Sequence, residues 1–376
     1  MQGEMQNMAV DFFSLRNEQS LSAFRNILLI QLGDIGDVVL TTPTIRAVKK
    51  TYPSARVSIL VSKPYGCLLV ADPDVYEVVG ASKIRGSLFS RLREYVAFAR
   101  KLRRAHYDLV IDLRTGDRGA ILSFFTQAPV RIGQPGTRKQ FWHRLFFTDT
   151  LRNIKSAPPP AHPGADQSLR IVRGIGIHTS DTMPRLFISP QDRARAEDLL
   201  KELGLALTGP WVTINPFSRW KYKGWDNVKW GAVIDWLWET HQIPAVLIGS
   251  QEEATFCQQI VAGREGRAIN LAGRTTLGEL AAVISMSSLH LGVDSSAPHI
   301  AGALGTPTVT IHGPTDWRAW RVVDDLHQIV VPTMECVPCN QMGCNDTGIS
   351  QCLEHLGTEA VIEAIDQLLR KVIPPS

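Results

Sequence analysis

The sequence lacks any run of 18 or more apolar residues, so it predicts no membrane-spanning helix. Its N-terminal stretch contains Glu4, Asp11 and Glu18 and no apolar core segment, which argues against a secretory signal peptide. Cysteine is scarce, with six in 376 residues, which argues against a disulfide scaffold. The chain is 44% hydrophobic, enough to build a core. We therefore expect a folded cytoplasmic protein, with residues 1–25 as a loosely ordered leader.

The small net charge of +4 conceals two halves of opposite sign. Residues 1–184 carry 25 Lys/Arg against 15 Asp/Glu, a net charge of +10, whereas residues 185–376 carry 15 against 21, a net charge of −6. A length of 376 residues suits two domains. The charge asymmetry suggests that the two halves meet different ligands.

Apolar runs of strand length alternate with helical patterns along most of the chain. Asn26–Leu32 is nearly continuous in apolar residues, as expected of a buried parallel strand. Further strands are predicted at Arg56–Val61, Val75–Val79 and Asp108–Asp112, with a helix at Leu88–Arg104. The same rhythm restarts after a proline-rich connection. It predicts two doubly wound α/β domains at 26–185 and 186–357, followed by a C-terminal helix within 358–376.

Three loops that follow predicted strands carry candidate binding groups, because ligands of open α/β sheets lie beyond the carboxyl ends of the strands. Asp34 and Asp37 lie in a glycine turn before a helix, where they serve either as helix caps or, for an ionised carboxylate, as a general base. Lys223 follows a strand in a loop rich in lysine and tryptophan, where it either neutralises a phosphate or is simply solvated. Asp294 precedes a helix that begins near Pro298, where free backbone N–H groups suit phosphate oxygens or a plain cap.

A basic block at 83–104 contains eight Lys/Arg and one acidic residue. Its leucine, phenylalanine and tyrosine residues recur at helical spacing and predict a side that faces the core. The remaining face is either solvated or a docking surface for an anionic membrane or an acidic acceptor. No aromatic-interleaved basic groove supports nucleic-acid binding. The arginines of this surface are Arg91, Arg93, Arg100 and Arg103.

Two segments match metal-binding patterns. Cys336, Cys339, Cys344 and Cys352 form a C-x2-C-x4-C-x7-C series that fits either a zinc cluster or a group of reduced structural thiols. Asp72-Pro73-Asp74 matches a metal-binding DxD pattern formally, and we interpret it as chance.

The chain resembles glycosyltransferase family 9, the ADP-heptose–lipopolysaccharide heptosyltransferases. The resemblance rests on several stretches and covers roughly residues 26–371. Within the family, SRWKYKGW and RKQFWHRLFF most resemble the third core heptosyltransferases, which add a branching heptose. The carrying stretches are NILLIQLGDIGDVVLTTPTIRAVKKTYPSARVSILV, YDLVIDL, RGAILSFFTQAPVRIG, INPFSRWKYKGW, LAGRTTLGELAAVISMSSLHLGVDSSAPHIAGALGTPTVTIHGPTDW and the cysteine series.

The resemblance implies a GT-B fold, with two Rossmann-like domains facing a central cleft and the C-terminal helix packing back on the first domain. It implies an inverting transfer from an ADP-sugar in which Asp37 is the catalytic base and Lys223 meets the donor phosphates. The donor-binding turn would comprise Asp294, Ser295 and Ser296, with His299 just after it. An acidic residue at Glu252 or Glu253 would contact the ribose.

On this interpretation the chain transfers heptose from ADP-heptose to a hydroxyl of the lipopolysaccharide inner core and needs no cofactor or metal. Asp34 and the four arginines are expected on the acceptor side, near an anionic membrane surface, and Asp34 is the alternative base. No nucleic-acid partner is expected. Two alternatives stay open: a GT-B enzyme that uses another nucleotide sugar, and a noncatalytic homologue that binds carbohydrate or a membrane surface.

Overall fold

The computed structural model describes residues 24–82, 87–134, 142–143, 145–151, 154–159 and 161–373. The predicted leader at 1–25 lies outside these residues except for its last two. The chain divides into two compact units. Unit 1 comprises Met1–Pro159 and Ala165–Pro184, and unit 2 comprises Pro160–Gly164 and Arg185–Ser376.

Within its described residues, unit 1 contains a parallel sheet in the strand order β3-β2-β1-β4-β5-β6. Strand β1 lies inside this sheet, and all its residues after the first are buried, which explains its nearly continuous apolar sequence. The strands are β1 Asn26–Gln31, β2 Arg56–Ser62, β3 Glu77–Ala81, β4 Leu109–Asp112, β5 Val130–Gly133 and β6 Asp149–Thr150. The helices are α1 Ile35–Leu40, α2 Thr42–Thr51, α3 Leu88–Arg104, α4 Asp117–Thr126 and α5 Asp166–Arg173.

The described part of unit 2 repeats this topology, with the parallel order β12-β11-β10-β7-β8-β9. Read from its first strand, this is the same Rossmann order as in unit 1. The strands are β7 Val212–Asn215, β8 Ala245–Leu247, β9 Ala268–Asn270, β10 Leu289–Val293, β11 Thr308–Ile311 and β12 His327–Val330. The helices are α6 Pro190–Glu202, α7 Asn227–His241, α8 Ala254–Val261, α9 Leu277–Met286, α10 Ala297–Leu304, α11 Gln351–His355 and α12 Glu359–Val372.

The predicted fold class, α/β with two doubly wound Rossmann-like domains, is confirmed by these two sheets. The structure groups the C-terminal helix α12 with unit 2, and its predicted packing on the first domain stays a prediction. Its apolar face, including Val361, Ile365 and Leu368, is buried in a core shared with β7, β10 and β11. Among the described residues, no helix is long and apolar enough to cross a membrane.

Candidate functional site

Each sheet has one point where its strand order reverses, and Asp37, Lys223 and Asp294 follow strands at that point. In unit 1 the reversal lies between β1 and β4, whose residues pair from Ile27 with Leu109 to Ile30 with Asp112. In unit 2 it lies between β7 and β10. Ligands of doubly wound sheets bind at the carboxyl ends of the strands at this switch point. The loops after β1, β4, β7 and β10 are therefore the candidate binding loops.

Asp37 lies in the first turn of α1, where two donors hold one of its carboxylate oxygens. The backbone N–H of Asp34 donates to Asp37 Oδ2 over 2.9 Å, and Arg114 Nη1 donates to the same oxygen over 2.5 Å. The capping role anticipated for this turn is therefore real. It is compatible with a functional role, because the side chain of Asp37 keeps 16% of its surface exposed.

The turn before Asp37 is held in place by Gln31, the last residue of β1. Gln31 is 2% exposed, and its side-chain amide donates to Thr41 Oγ1 over 2.8 Å while accepting the N–H of Gly33 over 3.1 Å. A Cβ at Gly33 would collide with the carboxylate of Asp37 and with Arg114. Glycine at this position is therefore required by the close approach of the ion pair.

The end of β4 contributes Asp112 and the loop after it contributes Arg114, and the sequence analysis missed both. Asp112 is 1% exposed, and its Oδ1 accepts the N–H of Arg114 over 3.2 Å. Burial raises the pKa of Asp112 to about 8, although the Arg114 N–H and guanidinium both act to lower it. Asp112 had been interpreted only as the end of a strand, since the sequence did not reveal that β4 lies beside β1.

The basic helix α3 differs from its prediction in the side it buries. Phe98 and Leu102 pack into the core of unit 1, but Phe89, Leu92 and Tyr95 are 81%, 61% and 48% exposed. The expected burial of these last three side chains is therefore wrong. The four predicted acceptor-side arginines are exposed, namely Arg91, Arg93, Arg100 and Arg103.

In unit 2, Lys223 and Asp294 form a largely buried ion pair. Lys223 Nζ lies 2.7 Å from Asp294 Oδ2, and the two side chains are 16% and 10% exposed. Burial acts to raise the pKa of Asp294, but His312, Lys223 and a hydrogen bond from Thr315 outweigh it, so the pKa is lowered. Asp294 is therefore held as a carboxylate, and Lys223 is held at the switch point as its cation.

The loop that carries Lys223 is anchored on either side of the lysine, at Tyr222 and at Trp225. Trp225 is 5% exposed, packs edge-on against Trp230 at a centroid distance of 5.1 Å, and donates through Nε1 to the carbonyl of Leu356 over 3.0 Å. Ser350 donates to the carbonyl of Tyr222 over 2.6 Å. These bonds explain how a short helical turn at Lys221–Lys223 is fixed beside β7.

The predicted donor-binding turn follows β10 and lies beside the end of β7, at the switch point of unit 2. Ser295 Oγ donates to Asn215 Oδ1 at the end of β7 over 3.0 Å. Ser296 occupies the cap position of α10 without a side-chain capping bond, and proline follows in the first turn. The first backbone N–H groups of such a helix have no partner within the helix. This end of α10 therefore presents donors suited to anionic oxygens.

Two histidines flank this turn. His299 lies 5.5 Å from the ring of His162 and 6.3 Å from that of Trp320, measured between ring centroids. His312, which follows β11 and was missed by the sequence analysis, is 3% exposed and places Nδ1 3.8 Å from Asp294 Oδ2. Burial lowers the pKa of His312, and the charge of Asp294 opposes that shift. His312 lies in a stretch that carries the family resemblance, but the sequence does not show that strand pairing brings His312 close to Asp294.

The structure distinguishes the two acidic residues after β8. Glu253 Oε2 accepts the N–H of Ser250 over 2.7 Å and completes a capping box. Glu252 is exposed, and its own backbone N–H and the Ser250 side chain lower its pKa. Glu253 thus caps the helix start, and Glu252 is the more exposed carboxylate of the two.

The structure supports a metal site neither at the cysteine series nor at the Asp72-Pro73-Asp74 segment. Within the described residues, no group of three or more His, Cys, Asp or Glu side chains is arranged to hold a metal ion. Cys336, Cys339, Cys344 and Cys352 are free thiols, and burial raises the pKa of Cys352. In the DxD pattern, Asp72 Oδ1 accepts the N–H of Asp74 over 2.9 Å and stabilises a turn.

Comparison with known proteins identifies the family. Residues 95–349 match the model of glycosyltransferase family 9 (heptosyltransferase). Lipopolysaccharide heptosyltransferase 3 of Escherichia coli K12 is 30% identical over 300 residues, covering 76% of this chain and 82% of that protein. The chain belongs to glycosyltransferase family 9 and is a glycosyltransferase. The predicted family, and the resemblance to its third type, are confirmed.

Solved structures agree with the fold. A family 9 glycosyltransferase from Veillonella parvula superposes with a TM-score of 0.78 at 21% identity, covering 94% of this chain and 99% of that one. The E. coli heptosyltransferase WaaC, solved with ADP-2-deoxy-2-fluoro heptose, superposes with a TM-score of 0.68 at 19% identity, with 91% and 99% covered. At these identities the similarity is one of fold.

Proposed function

We propose that this glycosyltransferase moves a heptose from ADP-heptose to a hydroxyl of the lipopolysaccharide inner core, with inversion at the anomeric carbon. The observation that carries the proposal is Asp37, a carboxylate at the switch point of unit 1 whose Oδ2 is held by two donors. Family membership supports the reaction class. The relatives cited above are a lipopolysaccharide heptosyltransferase and an enzyme solved with an ADP-heptose analogue, which supports this donor and acceptor.

In this mechanism Asp37 accepts the proton of the acceptor hydroxyl as its oxygen attacks the anomeric carbon. The bond from that carbon to the diphosphate oxygen breaks, and ADP leaves from the opposite face. Arg114 orients Asp37 by donating to its Oδ2. Asp34 is proposed on the acceptor side of the same turn.

Charge that develops on the diphosphate is proposed to be met by Lys223 and by the backbone N–H groups of residues 295–297. Asp294 positions Lys223 and, with Ser295, Ser296 and His299, binds the donor sugar. Glu252 is the proposed ribose contact, because Glu253 is occupied by the cap. No metal and no cofactor take part in this scheme.

Incubation of the protein with ADP-heptose and lipopolysaccharide acceptors tests the proposal. We expect a mass gain of one heptose on the acceptor together with release of ADP. Parallel reactions with UDP- and GDP-sugars test the alternative of another donor, which would be supported if one of these gave the product. Binding of ADP-heptose without any product would instead favour a noncatalytic homologue.

The basic helix α3 is proposed to lie on the membrane side of the acceptor. Arg91, Arg93, Arg100 and Arg103 would face anionic groups of the inner core or of the cytoplasmic membrane surface. This places the enzyme peripherally on that surface.

A further inference from the structure

Helix α3 has an exposed apolar stripe that the catalytic proposal does not use. Phe89, Leu92 and Val96 follow the spacing i, i+3, i+7, which places them on one face of the helix. Their exposed fractions are 81%, 61% and 38%. Other strongly exposed apolar residues, such as Val70 and Val228, belong to different elements and need no explanation. Because Phe89, Leu92 and Val96 lie together on one face of one helix, they form an exposed apolar patch that calls for an explanation.

The C-terminal half of α3 is packed on the side opposite the stripe, whereas Arg91, Glu94 and Tyr95 on its N-terminal half are exposed. Leu102 is 1% exposed and joins a core cluster with Leu28 and Val110, and Phe98 packs against the same cluster. The helix is therefore held on unit 1 by one side. The stripe of Phe89, Leu92 and Val96 is left in solvent.

The charge around the stripe has one sign. Arg100 and Arg103 continue the face of Val96 at i+4 and i+7, and Arg93 lies beside Leu92. The only acidic residue of the helix, Glu94, is two positions from Leu92 and therefore points to the opposite side. Lys101 is paired with Glu77 on the neighbouring strand over 3.3 Å. A partner that binds this face must therefore combine an apolar region, which can bury the stripe, with negative charge, which can pair with the arginines.

We infer that α3 docks on an anionic phospholipid surface by inserting Phe89, Leu92 and Val96 between headgroups while its arginines contact the phosphates. Interfacial helices bury such a stripe at the headgroup boundary, and arginine side chains extend back to the charged layer. A second copy of the chain is disfavoured as the occupant, because pairing two such faces would bring their arginines together. This inference rests on and extends the proposed membrane-side location of α3, but it does not depend on the transfer reaction itself.

Vesicle co-sedimentation of the full chain tests the inference without any sugar. The vesicles contain phosphatidylglycerol and phosphatidylethanolamine and no lipopolysaccharide, with phosphatidylcholine vesicles as the comparison. We expect binding to the anionic vesicles, at least about tenfold weaker binding to phosphatidylcholine, and weakening by salt. Absence of binding to the anionic vesicles would overturn the inference.

Two sets of variants separate insertion from charge. F89S/L92S should weaken binding by at least about tenfold through lost apolar burial, whereas V70S/V228S, equally exposed but elsewhere, should bind as the wild type does. R93Q/R100Q/R103Q should weaken binding by about 100-fold, and the matched neutralisation R195Q/K201Q/K371Q should have little effect. Equal binding by F89S/L92S and its control would rule out insertion.

Further outcomes identify a different occupant. Binding that appears only when lipopolysaccharide acceptor is added to the vesicles would assign the surface to the acceptor. A dimer in sedimentation velocity that F89S/L92S abolishes would assign it to a second copy. Transfer to an acyl-free core acceptor should be the same for F89S/L92S and wild type, so loss of membrane docking is distinguishable from failure of the proposed reaction.

Discussion

The two units share one strand order but place opposite charges at the same topological position. At the switch point of unit 1 the central group is a carboxylate, Asp37, paired with Arg114, whose side chain is 43% exposed. At the switch point of unit 2 the central cation is Lys223, paired with Asp294 in surroundings that leave both side chains under 20% exposed. The topology sets where each site lies, and the residues after the strands set its chemistry.

The sign of each site is also opposite to the net charge of its half of the chain. The carboxylate site lies in the half with a net charge of +10, and the lysine site in the half with −6. The net charge of each half of the chain therefore bears on long-range attraction of a ligand or membrane. The charge and orientation of each proposed reacting side chain depend instead on neighbours within hydrogen-bonding distance. The following experiments use this contrast.

The largest effect is expected from removing the proposed base of unit 1. Asp37→Asn keeps an oxygen for the cap but cannot accept the hydroxyl proton, so kcat should fall by roughly 10²- to 10⁴-fold. Affinity for ADP, measured by calorimetry, should be unchanged. Asp34→Asn is the comparison variant: it should retain kcat, and its effect should be confined to the KM for the acceptor. If Asp34→Asn lost activity and Asp37→Asn kept it, the base would be Asp34.

Replacing the cationic residue of each ion pair, Lys223–Asp294 and Arg114–Asp37, compares how much each pair contributes to the free energy of unfolding. Lys223→Met leaves a buried carboxylate without its partner and should lower the free energy of unfolding by about 3 kcal/mol. Arg114→Met, in the more exposed pair, should cost less than about 1 kcal/mol. Urea denaturation measures both values.

The double variant K223M/D294N checks that the cost comes from the orphaned carboxylate. It should be more stable than Lys223→Met alone, since the buried charge has been removed. A double variant no more stable than the single one would contradict this account of the unit 2 site.

Asp112 predicts a pH dependence peculiar to unit 1. Because burial raises its pKa to about 8, the neutral form favours the fold, and this contribution is lost as the pH rises from about 4 through 8. Asp112→Asn should remove that loss, so its stability relative to wild type should grow by up to about 1.4 kcal/mol per pH unit in this window. Urea titrations at pH 5, 6, 7 and 8 measure the difference. A constant difference would show that Asp112 does not change its protonation on folding.

The smallest effects should separate the two glutamates after β8. Glu252→Ala should weaken ADP binding by about tenfold through one lost hydrogen bond and leave stability unchanged. Glu253→Ala should lower the free energy of unfolding by about 0.5–1 kcal/mol through the lost cap. Calorimetry with ADP and thermal unfolding of both variants provide the two readouts. The reverse assignment would place the ribose contact at Glu253.

Much of the fold could be predicted because buried parallel strands leave a direct mark on the sequence. Asn26–Gln31 was anticipated to within one residue, and the helix Leu88–Arg104 has the predicted bounds. The strand at Glu77–Ala81 was placed two residues early, since its half-exposed edge position gives a weaker apolar signal. The buried side of Leu88–Arg104 was predicted wrongly, because spacing defines a face without saying what covers it.

The candidate site was only partly predictable for a related reason. Asp37, Lys223 and Asp294 follow strands that the sequence marks clearly. Arg114 and His312 act on Asp37 and Asp294, and only the strand order brings these pairs together. The pairing of Lys223 with Asp294 joins residues that are 71 positions apart.

The sequence by itself determined the elements of this protein, the division of charge between its halves and the residues that end its strands, because these depend on local periodicity and composition. The tertiary structure alone decided that β1 lies beside β4 and β7 beside β10, which fixes which loops share a switch point. It also decided that α12 completes the core of unit 2 and that the apolar stripe of α3 stays in solvent. The sequence periodicity shows that a helix or strand has an apolar face. Whether that face is buried, and which side chains it contacts, depends on the packing of the rest of the chain.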